Sequence, residues 1–78
     1  MEVNLHCAFI TCKQVTINDT LMYSYTFCDL SSSNNFTVFS LVPVKRFDNL
    51  KQLQVADLPF NLYIQKNGTI KLKPVKEV

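Results

Sequence analysis

A chain of 78 residues with nine aromatics, no tryptophan, one glycine and a net charge of +2 is one small domain with a compact, β-rich core. This composition excludes a disordered segment, and the charge is too small for a protein held on DNA by electrostatics alone, which usually has a pI above ~9. A domain of this size buries only about 60% of its unfolded surface, so a homodimer that completes the core is the expected assembly.

Val3, Leu5, Cys7 and Phe9 alternate with polar or small residues, the period of a half-buried strand. The alternation fails between residues 10 and 13, where Ile10 and Cys12 take the opposite parity, and resumes at Val15 and Ile17. One long strand with a bulge or sharp bend near 10–13 accounts for this, as small barrels require of a strand serving both sides. Asn18-Asp19-Thr20 reads as a turn, because both Asx side chains can bond the local backbone. Leu21, Tyr23, Tyr25 and Phe27 then share one face of a second strand. Residues 31–35, Ser-Ser-Ser-Asn-Asn, form a polar loop long enough to be mobile. A third strand runs from Phe36 to Val42 with its parity switching between Val38 and Phe39, which implies burial on both faces or another bulge. Pro43 ends it.

From Arg46 to Gln54 the period changes. Phe47, Leu50 and Leu53 recur every three residues, with Asp48 or Asn49 near the start, predicting a short helix of one to two turns. Asp57-Leu58-Pro59 breaks it, and a closing hairpin follows around Asn67-Gly68. A two-residue turn there would mix apolar and charged residues on both faces. A three-residue loop, with Gly68 left-handed at a bulge, instead pairs Ile64 with Ile70 and Leu62 with Leu72 on one dry face. The other face then carries Tyr63, Gln65, Thr69, Lys71 and Lys73.

The predicted fold class is all-β with one short helix: a five-stranded OB-like small barrel of order β-β-β-α-β-β, in one domain over residues 1–78. A β-grasp module or an SH3-like barrel accommodates most of the same pattern. The aromatic second strand (Tyr23, Tyr25, Phe27), the Ser/Asn loop after it and the Tyr63/Lys71/Lys73 hairpin make the layout similar to the small OB-fold single-stranded-DNA-binding proteins of phages and mobile elements. The first strand lacks a glycine at its bend, and the chain has no tryptophan. What the resemblance implies is binding of single-stranded DNA, or RNA, with little sequence preference.

Three cysteines, Cys7, Cys12 and Cys28, cannot all pair internally. With no signal peptide at the N-terminus and no apolar run near 18 residues, the chain reads as cytoplasmic, reduced and not membrane-bound. The cysteines lack the paired spacing of a zinc site and are expected as small buried hydrophobes, so no metal and no cofactor is implied. His6 and Cys7 are adjacent on a strand and point to opposite faces, out of reach of each other. The carboxylates Glu2, Asp19, Asp29, Asp48, Asp57 and Glu77 fall at turns and ends, where capping and turn bonding explain them. An enzyme is not expected. The pattern that remains is aromatic rings near cations, the pairing used by single-strand binders. Tyr63, Tyr25 and Tyr23 are the candidate stackers, with the alternative that the last two belong to a core stripe. Lys71, Lys73, Lys66, Arg46 and Lys13 are the candidate phosphate partners. Met22 and Leu30, on the opposite parity of the second strand, are candidates for a dimer interface. A second reading is a protein-interaction module, such as a phage-encoded inhibitor or accessory subunit that grips a host protein through a sheet edge or apolar patch.

Overall fold

The computed structural model describes residues 1–76; Glu77, one of the carboxylates considered above, lies outside them. The chain runs β1 (Glu2–Ile17), β2 (Thr20–Asp29), β3 (Asn34–Ser40), α1 (Lys45–Asp48), β4 (Val55–Ile64) and β5 (Ile70–Pro74). All pairings are antiparallel in the order β3-β2-β1-β4-β5. β3 and β5, the two ends of the sheet, lie against each other without joining the ladder. The result is a nearly closed, OB-like five-stranded barrel with one short helix.

β1 holds the barrel together because it is shared. Residues 2–8 pair with β4 and residues 7–17 with β2. The expected bulge falls at Ile10: Phe9 opposes Phe27, but Thr11 opposes Thr26. The extra residue turns Cys12 toward the same side as Cys7 and Phe9. It also sends Lys13, Val15 and Ile17 outward, opposite Ser24, Met22 and Thr20. The expected return of Val15 and Ile17 to the core therefore does not occur, and Ile17 is exposed.

β1 and β2 join through Asn18 and Asp19, both at positive φ (50° and 62°), the twist a two-residue hairpin turn needs. The Ser/Asn segment is tighter than its composition implies. Ser33 N–H donates to the Asp29 carbonyl at 2.7 Å, Ser31 N–H to the Asp29 carboxylate at 2.9 Å, and strand resumes at Asn34. β3 keeps an unbroken register with β2. The parity switch at Phe39 is therefore burial on both faces, with Val38 inward and Phe39 half-buried outward.

The expected short helix is found as a single turn. The helix stops at Asp48; Leu53 is exposed, at φ +65°, and its N–H donates to the Phe9 carbonyl at 2.6 Å. Pairing with β1 captures the segment before a second turn can form. The expectation that Asp57-Leu58-Pro59 breaks the helical segment needs correction, since these residues lie inside β4, with Pro59 opposite Asn4. The Gln54 carbonyl accepts from Phe9 N–H, and Leu62 exchanges bonds with Met1, both on the β1 side. Odd positions of β4, Pro59 among them, therefore turn their backbone away from β1. Pairing with β5 begins only at Phe60, so no partner there requires the missing N–H.

The core is aromatic. Phe27 lies 5.0 Å from Phe47, 5.5 Å from both Phe36 and Phe60, and 5.7 Å from Phe9 between ring centroids, mostly edge-on. Val38, Val44 and Leu58 complete it.

The closing hairpin has the expected register, with Leu62 opposite Leu72, Tyr63 opposite Lys71 and Ile64 opposite Ile70. Gly68 N–H bonds to the Gln65 carbonyl, Gln65 N–H to the Thr69 carbonyl, and Gly68 has φ +86°. Only part of the apolar face is dry, however. Leu72 packs on the core, whereas Ile64 and Ile70 are 72% and 62% exposed because the hairpin runs past the end of the barrel. A Cβ at Gly68 would meet nothing within 4 Å, so only the left-handed backbone disfavours a side chain there. Gly68→Ala is accordingly expected to lower stability by about 1 kcal/mol without altering the fold, read as a shift in the urea midpoint.

Candidate nucleic-acid interface

The alternation of β4 and β5 sets the outward face of the hairpin. Phe60, Leu62 and Leu72 point to the core side, so Asn61 and Tyr63 on β4, with Lys71 and Lys73 opposite them, point away. Tyr63 is 46% exposed, and the Lys73 ammonium sits 5.1 Å from its ring centroid. That contact holds a cation over an accessible π-face, and Lys71 stands directly across the ladder from the same ring. The structure thus brings three predicted residues together: Tyr63, Lys71 and Lys73. Lys66 is exposed in the turn beyond them.

The tyrosines of β2 do not join this cluster. Tyr25 is fully buried, so its ring cannot stack on a base, and the core reading of it is the correct one. Its hydroxyl accepts from Val44 N–H at 2.9 Å and donates to the Asp48 carboxylate at 2.9 Å, clamping both ends of α1 to the barrel. Tyr23 shares the inward face and is half-buried against the core, so it too offers little ring to a ligand. Arg46 also has a structural task. Its guanidinium donates from Nη2 to the Val75 carbonyl and lies 6.0 Å from the Phe47 ring centroid, tying the segment after β5 to the helix. It lies apart from the Tyr63, Lys71 and Lys73 cluster.

A groove of about 580 Å³ opens where β3 meets β5. One wall carries Lys71, Lys73 and Lys76; the other is Leu41 and Val42, with Met22 and Phe39 beneath. Lys73 thus belongs both to this groove and to the Tyr63 contact. Lys13 lies on the same outward sheet face as Phe39, since it opposes Ser24 and Ser24 opposes Phe39, two strand spacings or about 10 Å away. The sequence reading missed Phe39 as a surface aromatic. The only signal for it was the parity switch after Val38.

His6 is exposed and paired with Asp57 (Nδ1 to Oδ1, 2.7 Å), while Cys7 is buried on the other face of β1. That pair bridges β1 and β4, so Asp57 is a strand residue and not the turn residue expected. Burial pushes the Cys7 thiol up to about 11, and burial followed by the Asp48 charge pushes Cys12 up as well. Both shifts run opposite to what a thiolate nucleophile requires. Among the described residues no group of three or more His, Cys, Asp or Glu is placed to hold a metal ion, and no helix is long and apolar enough to cross a membrane. Scans of protein-family models, of curated proteins and of solved structures each find no match to this chain.

Proposed function

We propose that this barrel binds single-stranded nucleic acid, DNA in the first instance, by stacking a base on Tyr63 while lysines neutralise the flanking phosphates. The observation that carries the reading is the Tyr63 ring, 46% exposed with the Lys73 ammonium 5.1 Å from its centroid and Lys71 across the ladder. Every base presents a π-face, so stacking of this kind contributes about 1–3 kcal/mol per base with little regard to sequence. The small net charge of +2 limits the electrostatic part and points to micromolar affinity at low salt.

Fluorescence anisotropy with labelled oligo-dT at two salt concentrations tests this. Binding is expected in the micromolar range at low salt and should weaken as salt rises, since neutralised phosphates release counterions. Tyr63→Ala should weaken it by about 1–3 kcal/mol. Absence of micromolar binding at low salt, or binding indifferent to Tyr63→Ala, removes the reading. The alternative is a protein-interaction module, and what favours it is the exposed Ile64–Ile70 pair on the hairpin tip. If the oligonucleotide does not bind, that apolar pair becomes the surface to pursue.

A further inference from the structure

We propose that the groove at the β3–β5 seam carries the nucleic-acid strand itself, with its phosphates along the lysine wall and a second base in the cleft over Met22 and Phe39. This rests on the reading of Tyr63 as a stacking platform and extends it to a second base position. The seam exists because β3 and β5 end the sheet side by side without hydrogen bonding to each other. Its volume of about 580 Å³ lies within the range of small-ligand sites, roughly 300–1,000 Å³.

The charge on its walls is one-sided. Lys71, Lys73 and Lys76 stand on one side, Leu41 and Val42 on the other, and no carboxylate is among the described lining residues. A polynucleotide strand has the complementary cross-section, an anionic backbone on one edge and apolar base faces on the other. Lys71 and Lys73 share a strand face two residues apart, about 7 Å, comparable with the spacing of successive phosphates in an extended single strand. The lysine wall is also held in place. Pro74 and Val75 form its base, and Arg46 bonds to the Val75 carbonyl. Lys73 lines the groove and also lies over the Tyr63 ring, so the two base positions share one cation.

The test uses the full chain and fluorescein-labelled oligo-dT of about ten nucleotides. Leu41→Glu places a carboxylate on the exposed groove rim facing the lysines. Leu53→Glu makes the same charge change at an exposed site outside the groove. Leu41→Glu should weaken binding at least tenfold and Leu53→Glu less than twofold, with both variants melting like the wild type. Lys76→Gln should flatten the slope of log K against log salt by about 0.7, the value for one phosphate contact on a single strand. If Leu41→Glu and Lys76→Gln bind as the wild type does while Tyr63→Ala weakens binding, the groove assignment is overturned and the Tyr63 reading stands. If the wild type does not bind at low salt, the Tyr63 reading itself falls. Poly-glutamate competing as well as unlabelled oligo-dT would make the groove a general anion site and overturn the second base position.

Discussion

Phe27→Ala is expected to abolish cooperative folding, or to lower the urea midpoint by about 3 M or more. Phe27 is fully buried and its ring touches Phe9 of β1, Phe36 of β3, Phe47 of α1 and Phe60 of β4. One side chain on β2 therefore joins four other elements, and the hole left by its removal has no flexible neighbour to collapse into it. Truncating a buried phenylalanine to alanine costs about 3–5 kcal/mol, whereas a 78-residue domain holds roughly 4–12 kcal/mol in total. With m near 1 kcal/mol/M for a domain this small, the loss is most or all of the measurable transition. Circular dichroism during urea titration checks it. A midpoint within about 1 M of the wild type would mean that the aromatic cluster is redundant.

The closing hairpin shows what alternation can specify and what it cannot. Leu62, Ile64, Ile70 and Leu72 fall on one face in only one register, and that register is found. Alternation reports a face but not a depth, so it could not show that Ile64 and Ile70 overhang the barrel end. The same limit applies to β1. Failed parity at 10–13 located the bulge at Ile10, but which later residues return inward depends on how β2 pairs across it: Cys12, not Val15, has the inward parity, and it is exposed rather than buried as expected. The three-residue spacing of Phe47, Leu50 and Leu53 was a true helical signal for one turn only. What ended the helix was a bond from Leu53 to Phe9, a contact 44 positions away along the chain that no local window contains.

The candidate site divides along the same line. Tyr63, Lys71 and Lys73 are brought together by a local hairpin, so their association could be read from spacing. The seam groove is assembled from β2, β3, the segment after β3 and the segment from Lys71 to Lys76. Those parts meet only when the barrel closes. Tyr23 and Tyr25 share a parity, and the difference between them lies in the polar partners that Val44 and Asp48 bring to the buried hydroxyl of Tyr25. A phenol in a core stripe needs such partners, so an aspartate one turn into a following helix is a signal a sequence reading could use.

That hydroxyl gives the second large expected effect. Tyr25→Phe keeps the ring in its packing against Phe47, 5.1 Å between centroids, but removes both hydrogen bonds and leaves the buried Val44 N–H without its acceptor. A stranded buried group of this kind costs about 1–3 kcal/mol, so the variant should lose about 2 kcal/mol at pH 7 while folding to the same structure. The pH dependence separates the hydroxyl from mere packing. Burial is the largest cause holding the Tyr25 phenol above its ordinary value of 10.0, with the Val44 N–H opposing and Asp48 adding to it. A group raised in the folded state contributes stability that is complete below its unfolded value and is lost above it. The wild type should therefore weaken from about pH 9, as the Cys7 thiol (raised from 9.0 to about 11) begins to favour the unfolded chain, and more steeply above pH 10, when Tyr25 adds to it. Tyr25→Phe should keep the first loss and lack the second, so the gap between the two proteins narrows as pH rises from 7 to 11. Urea midpoints at pH 7, 9.5 and 11 measure this. A constant gap across that range would mean that the hydroxyl does not hold α1 to the barrel.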